Sequence, residues 1–246
     1  MALDRKGMAR SVFDSLGATA IGPVTRAHSV ADTTIAQLPY DPAAAAALLD
    51  SAGWRDTNGD GVREKNGRPL QFTVLVPSIS KNRVTYAVLL QEQLRKAGAK
   101  MEIEQVEFNA FLQREASRDF DAVIGAWHAD PSPAGAKQTW SSGGAIPGGV
   151  NYGMYRSPTF DAHVDSALTS FDADAAKRHY RLAYETIIAD APAVWLYETS
   201  PAMGLHKRIR VAGMRPDAWW ASLADWSIPA GERLPRDGAR QVAAGS

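Results

Sequence analysis

Apolar and polar residues recur with two different periods in the first half of this chain. Within "PLQFTVLVP", Phe72, Val74 and Val76 take alternate positions, which predicts a largely buried strand. Over residues 82–98 the apolar residues recur at helical spacing, and residues 100–106 alternate again. The order of strand, helix and strand predicts a β-α-β unit.

Two helices near the start of the chain carry clear boundary signals. Asp4 is expected to cap a helix that stops at Gly17. Asp41 is expected to cap an alanine-rich helix that has Pro42 at its first position and Gly53 as its stop. The segment between these helices has no sustained period, so an irregular loop is predicted there.

Alternation of helical and strand patterns continues beyond residue 106. Asn109 is expected to cap a short helix, and "FDAVIGAW", residues 120–127, is predicted to form a third buried strand. A helical hairpin is predicted from Ser157-Pro158 through residue 190, followed by a strand at "PAVWLYE". Strands that alternate with helices predict an α/β domain with a mixed or parallel sheet.

Residues 129–155 differ from the rest, since they contain three prolines and two Gly-Gly pairs. A loop of this length without secondary structure is usually either functional or disordered. The segment also carries Trp140 and Tyr152. These aromatic residues favour a loop that faces a ligand.

Composition excludes several classes of function. Of 246 residues, 45 % are hydrophobic, which suffices for a real core. Lys plus Arg and Asp plus Glu number 27 each, so no global field favours nucleic acid. The absence of cysteine excludes disulfides, thiol catalysis and thiolate zinc sites. No apolar run of about 18 residues and no signal-peptide pattern is found, so we expect no signal peptide in this chain.

The stretch "DTNGDGVRE" has the start of a calcium loop. Asp56, Asn58 and Asp60 take positions 1, 3 and 5, and Gly61 takes position 6. The glutamate required at position 12 is replaced by Gly67. Asn, Gly and Asp are also the residues that a tight turn selects. We therefore favour a turn without a metal, with calcium binding as the alternative.

"AWHADPSP" follows the third predicted strand and enters the long loop. Trp127 and Asp130 are placed where a sheet presents groups to a ligand, and a carboxylate there can bind a cationic group. The alternative is that Asp130 caps a turn before Pro131.

Catalytic motifs are missing from the sequence. "GGAIPGG" is rich in glycine but lacks the Lys and Ser/Thr of a phosphate loop. His128 lies beside Asp130, but a hydrolase that used them has no activated nucleophile nearby in the sequence. The other histidines are interpreted as isolated packing or surface residues: His28, His163, His179 and His206.

The order of several motifs resembles a known family. These are "ALDRKGMARSVFDSLG", "YDPAAAAALLDSAGWRDTNGDGVREKNGRPLQFTVLVP", "FDAVIGAWHADPSP", "NYGMYRSPTFDAHVDSAL", and "ADAPAVWLYE" with "KRIRVAGMRP". Together, over residues 2–228, they resemble the C-terminal half of the peptide-type solute-binding proteins of bacterial ABC importers, extracellular solute-binding family 5.

The resemblance implies an α/β fold, a lobe of the type II periplasmic-binding-protein kind with a mixed sheet flanked by helices. It implies binding of a short peptide or similar solute, without catalysis or a cofactor. It also implies an ABC transporter permease as partner and a periplasmic or other extracytoplasmic location.

The resemblance also implies roles for single residues. The acidic residue of the family's G-W-x-x-D motif matches Asp130 in "AWHAD", which would hold the α-ammonium group of a peptide. Trp127 is the matching aromatic residue, and Ala126 replaces the usual glycine. The predicted ligand-binding set is Asp130, Trp127, His128, Trp140 and Tyr152.

Members of that family are about twice as long, so the resemblance implies half of a two-lobed protein. We expect residues 1–210 to form the C-terminal ligand-binding lobe, residues 211–228 to return to an absent N-terminal lobe as a short extended strand segment, and residues 229–246 to form a flexible tail. The returning segment would expose three tryptophans, Trp219, Trp220 and Trp226. Its expected partner is the missing lobe or a second copy. The alternative function is a structural or interaction module that keeps the lobe fold and binds a partner protein.

Overall fold

The computed structural model describes residues 1–127, 131–200, 202–216 and 218–237. The chain divides into two compact units, Met1–Thr199 and Ser200–Ser246. The larger unit has the α/β fold that was predicted. The functional boundaries expected at residues 210 and 228 stay predictions.

Helix α1 (Arg5–Phe13) begins where the sequence predicts. The Asp4 carboxylate accepts a hydrogen bond from the Gly7 backbone N–H at 2.8 Å, as an N-cap does. The predicted stop at Gly17 is wrong, because Asp14 already breaks the helix with a φ of 51°. A 3-10 turn then leads into strand β1 (Gly17–Ala18).

Helix α2 (Pro42–Ser51) also begins at its predicted cap, since the Asp41 carboxylate accepts from the Ala44 N–H at 2.9 Å. The segment between β1 and α2 contains no helix or strand, as expected. After α2 the chain turns through "DTNGDGVRE" into a short antiparallel hairpin, β2 (Glu64–Lys65) with β3 (Arg68–Pro69).

The predicted β-α-β unit consists of β4 (Gln71–Pro77), α3 (Lys81–Lys96) and β5 (Lys100–Val106). Strands β4 and β5 pair in parallel over their full length, from Gln71 opposite Lys100 to Pro77 opposite Val106. Their carboxyl ends therefore lie side by side at one edge of the sheet.

Helix α4 (Phe108–Ser117) starts one residue before the cap expected at Asn109. That prediction is wrong because the Glu107 carboxylate caps the helix instead, accepting from the Asn109 N–H at 2.8 Å. Strand β6 (Ala122–Val123) then pairs in parallel with β4, opposite Val74 and Leu75. The buried strand predicted over residues 120–127 is thus only two residues long. The sheet order is β5-β4-β6.

The long segment after β6 contains regular structure, so its prediction as an unstructured loop is wrong. It includes helix α5 (Gly135–Trp140) and a 3-10 turn at Ser142–Gly144. Two glycines allow this compact path. A Cβ on Gly144 would lie 2.2 Å from the Gln138 carbonyl oxygen, and one on Gly149 would lie 2.2 Å from the Gly144 carbonyl oxygen.

The helical hairpin is confirmed as α6 (Pro158–Thr169) and α7 (Ala173–Asp190), capped by Ser157 and Asp172. The strand predicted at "PAVWLYE" is largely wrong. Only β7 (Glu198–Thr199) forms, as the antiparallel partner of β1. Trp195 and Tyr197 instead pack their side chains against the cores.

Two apolar cores support the larger unit. One lies between α5, α6 and α7, and its buried members are Ile35, Ala136, Trp140, Phe160, Val164, Ala167, Tyr180, Ala183, Tyr184, Ile187 and Ile188. The other joins the sheet to α1 and α3, and its buried members are Met8, Val74, Val76, Tyr86, Ala87, Leu90, Met101 and Ile124.

The smaller unit is built from turns. The segment expected to be extended around the tryptophans is a 3-10 helix, Trp219–Asp225, and Arg210 bridges to Ser227. Arg208 forms an ion pair with Asp237, and Arg210 forms one with Glu232. The expected flexibility of residues 229–246 stays a prediction. Among the described residues, none of the helices combines the length and apolar character that crossing a bilayer requires.

Candidate functional site

The carboxyl ends of β4 and β6 meet at one edge of the sheet, the place where open α/β sheets bind ligands. Arg83, in the first turn of α3, follows β4. Its Nη1 donates a hydrogen bond to the Ile124 carbonyl, just beyond β6, at 3.4 Å. Arg83 therefore ties the two strand ends together.

Trp127 lies at this edge and is 52 % exposed. Its ring lies against Gly125, where a Cβ would come within 2.9 Å of Trp127 Cη2. The ring centroid of Trp127 is 5.9 Å from that of Trp140. The structure therefore brings together two of the residues that the sequence placed near a ligand.

Trp140 itself is only 8 % exposed and belongs to the core between α5, α6 and α7. The edge of one ring meets the face of the other between Trp140 and Trp195, with centroids 4.9 Å apart. Arg5 donates to the Trp195 carbonyl at 3.0 Å, and burial lowers the pKa of Arg5. Sequence reasoning missed Trp195, because its apolar neighbours indicate a strand. That Trp140 faces a ligand stays a prediction.

Asn151 organises the segment that carries Tyr152. It is 1 % exposed, and its Nδ2 donates to the carbonyls of Ser141 at 3.0 Å and Tyr155 at 2.8 Å. Its Oδ1 accepts from the Tyr155 N–H at 3.1 Å. Tyr152 is half-buried beside it, and its contact with a ligand stays a prediction. The sequence offered no signal for Asn151 beyond its place among glycines.

Tyr155 fixes the far end of the same segment. Its hydroxyl donates to Asp190 Oδ2 at 2.6 Å, at the end of α7. Burial, together with the hydrogen bond to Asp190, raises the pKa of Tyr155 to about 12. The hydroxyl therefore stays protonated and keeps donating to Asp190 throughout the physiological range.

A buried acid that sequence reasoning missed lies beside Trp127. Glu115, on α4, is 7 % exposed, and its Oε1 lies 3.3 Å from where a Cβ on Gly125 would be. Burial raises the pKa of Glu115, and the charge of Arg83 opposes that shift. The Arg83 guanidinium lies 5.7 Å from the Phe111 ring centroid. The available signal was the spacing of Phe111 and Glu115, which share one face of α4.

Two residues of the predicted ligand-binding set, His128 and Asp130, lie outside the described residues. Their roles stay predictions. The histidines interpreted as isolated include one pair that is not. His163 Nδ1 and His179 Nδ1 are 3.3 Å apart, because the hairpin of α6 and α7 folds residues distant in sequence together.

The acidic turn gathers carboxylates, since oxygens of Asp56, Asp60 and Glu64 lie within 4.8 Å of one another. These oxygens already accept hydrogen bonds within the turn. Asp56 accepts from the N–H groups of Gly59 and Gly61 at 2.7 and 3.0 Å. Asp60 accepts from Val62, Glu64 from Thr57, and Asn58 from Asp60. The geometry is that of a turn closed by its own side chains.

Comparison with known proteins identifies the relatives of this chain. A family model described as "Bacterial extracellular solute-binding proteins, family 5 Middle" matches residues 1–147, more than half of the chain. The oligopeptide-binding protein AppA of Bacillus subtilis is 29 % identical over 230 residues, which are 89 % of this chain and 42 % of AppA.

Solved structures agree with this. The structure of AppA in complex with a nonapeptide has a TM-score of 0.79 at 27 % identity and covers 92 % of this chain and 45 % of that one. The structure of NikZ from Campylobacter jejuni in complex with Ni(L-His) has a TM-score of 0.76 at 20 % identity, with 92 % and 46 % covered, and is similar in fold. The chain thus spans less than half the length of these relatives.

Proposed function

Since this chain belongs to the bacterial extracellular solute-binding proteins of family 5, which bind solutes for ABC transporters without catalysis, we propose that it binds a short peptide or similar solute for import. AppA is named for oligopeptide binding and was solved with a nonapeptide. The location that we propose is periplasmic or otherwise extracytoplasmic.

The proposal rests on the structure at the edge of the sheet where β4 and β6 end. Trp127 is half exposed there and is backed by Trp140. A rigid aromatic surface beside strand ends suits the backbone and side chains of an extended peptide. We propose that Asp130, three residues after Trp127, binds the α-ammonium group of that peptide.

A buried contact between an ammonium group and a carboxylate contributes about 1.5 to 3 kcal/mol as a charge-assisted hydrogen bond. That corresponds to roughly 10- to 100-fold in affinity. It suffices to fix the orientation of the peptide, while the rest of the site supplies the remaining affinity.

We propose two partners for this chain. One is an ABC transporter permease, and the other is the N-terminal lobe of the longer relatives. The smaller unit supports the N-terminal lobe as a partner. Trp219 and Trp220 are exposed, and their ring centroids are 5.9 Å apart. Leu223 and Met214 of the same unit are also exposed. Apolar surface of this kind favours a protein partner, either that lobe or a second copy.

The same tryptophans favour a second candidate function, an interaction module that keeps the lobe fold and binds a protein instead of a solute. The two candidates differ in what a small peptide does to the chain. Only the first predicts that a peptide raises the melting temperature, because a ligand that binds the native state stabilises it.

The test is a titration of this chain with the tripeptide Ala-Ala-Ala and with its N-acetyl form, followed by tryptophan fluorescence and thermal unfolding. We expect the free tripeptide to bind and N-acetylation to weaken binding roughly 10- to 100-fold. Asp130→Asn is expected to give the same loss, and Glu92→Gln, on the exposed face of α3, is the control. Equal binding of the free and acetylated peptides would overturn the role of Asp130. No binding of either would overturn the proposed function.

A further inference from the structure

Glu115 is a buried carboxylate without a hydrogen-bond donor. Its side chain is 7 % exposed, and none of the residues that the structure describes donates a hydrogen bond to its oxygens. Its carboxylate oxygens keep contact with solvent, so a ligand group can reach them. A partner that a ligand supplies would satisfy them.

The position of Glu115 links it to the candidate site. Its Oε1 and the Trp127 ring both lie against Gly125, at 3.3 and 2.9 Å from the place of a Cβ there. The carboxylate and the outer edge of the half-exposed indole therefore lie on the same side of Gly125, just beyond the end of β6.

Arg83 does not neutralise this acid directly. Within the described ranges, no nitrogen of Arg83 lies within 4.0 Å of a carboxylate oxygen. Its guanidinium is engaged by the Ile124 carbonyl and the Phe111 ring. Burial raises the pKa of Glu115, and the charge of Arg83 only opposes that shift without forming an ion pair with the carboxylate.

We propose that Glu115 selects peptides with a cationic side chain, which its carboxylate receives beside the edge of the Trp127 ring at Gly125. This inference rests on the proposed function, since it names the class of peptide bound at the same site. Two independent features favour a cation there. The carboxylate offers charge-assisted hydrogen bonds to an ammonium or guanidinium group. The indole face of Trp127 attracts the same group through its π electrons.

The experiment compares tripeptides that differ only in one charge. Lysine is placed at the first, second or third position between alanines, and norleucine replaces it in the matched peptides. Binding to the whole chain is measured by calorimetry for the wild type and for Glu115→Gln, Glu115→Asp and Glu92→Gln. Glu92 is the matched control, because it is an exposed acid that pairs with Arg95 and Lys96 on α3.

We expect the wild type to prefer lysine over norleucine roughly tenfold or more at one position. Glu115→Gln should abolish that preference, because it should weaken binding of the lysine peptide far more than binding of the norleucine peptide. Glu115→Asp should retain part of the preference, and Glu92→Gln should retain all of it.

The inference would be overturned if the wild type bound the lysine and norleucine peptides with equal affinity at all three positions. This outcome does not depend on whether the variants fold. An equal loss of both affinities in Glu115→Gln would also overturn it, because the residue would then be structural. In both cases peptides still bind, so the proposed function stands. Failure of every tripeptide to bind would overturn the proposed function itself.

Discussion

The indole of Trp127 packs against the indole of Trp140, with ring centroids 5.9 Å apart and planes inclined by 48°. One ring is half exposed at the carboxyl end of the sheet, and the other belongs to the core between α5, α6 and α7. The orientation of a surface residue in the candidate site is therefore fixed by the packing of the interior.

This pairing predicts different effects for the two tryptophans. Trp140→Ala should lower the free energy of unfolding by about 3 to 5 kcal/mol, because it leaves a cavity in a core. Trp127→Ala should cost less than half as much and should weaken peptide binding. Urea unfolding and peptide titration measure the two effects. Equal losses of stability would show that Trp127 is mainly a core residue.

Asn151→Ala should destabilise the chain by roughly 2 to 4 kcal/mol, because it leaves the Tyr155 N–H and two carbonyls without their buried partner. Asn82→Ala, at an exposed position of α3, is the control and should change stability by about 0.5 kcal/mol or less. Denaturant unfolding of both variants is the measurement. A loss below about 1 kcal/mol for Asn151→Ala would contradict the role of Asn151 in ordering its segment.

Glu115 should make stability depend on pH. Its pKa is raised in the folded chain, so protonation favours the native state. The contribution is fully present below the pKa of the unfolded chain and is lost as pH rises through the folded pKa. Glu115→Gln should therefore gain stability relative to the wild type as pH rises above the ordinary pKa of a glutamate. Urea unfolding at several pH values measures this, and a difference that stays constant with pH would count against it.

The acidic turn should be insensitive to calcium. Asp56 already accepts two backbone hydrogen bonds, so Asp56→Ala should cost about 1 to 2 kcal/mol with or without the ion. Thermal unfolding in EDTA and in millimolar calcium chloride should give the same midpoint. A calcium-dependent rise of several degrees, lost in Asp56→Ala, would favour the alternative that the sequence left open.

The exposed tryptophans should mediate association. If this chain pairs with itself, the double variant Trp219→Ala, Trp220→Ala should weaken self-association at least tenfold in sedimentation experiments. Leu234→Ala, at another exposed apolar position of the smaller unit, should not. A wild type that is monomeric at high concentration would leave the complementary lobe as the expected partner and exclude the second copy.

Local signals predicted the helices well. The caps at Asp4, Asp41 and Ser157 are satisfied by side-chain hydrogen bonds within the first turn, so the information lies in a few neighbouring residues. Asn109 failed as a cap because Glu107, two residues earlier, accepts from the N–H groups of Asn109 and Ala110, so the helix has already begun at Phe108.

Pairing between distant residues was not predictable in the same way. The apolar run around Trp195 fits a strand, but only Glu198 and Thr199 find a partner, and that partner is β1. The candidate site also depends on contacts between residues that are distant in the sequence. Trp127 is marked by the motif around it, whereas Glu115 joins the site only because α4 packs beside the end of β6.

The contact between His163 and His179 has a consequence for the state of both rings. With Nδ1 facing Nδ1 at 3.3 Å, one ring must donate and the other accept, since two N–H groups would repel and two lone pairs would leave the contact empty. Whenever both imidazoles are neutral, they therefore adopt opposite tautomers, and a change in one ring requires a change in the other. The hairpin of α6 and α7 therefore couples the tautomers of two histidines that lie on different helices.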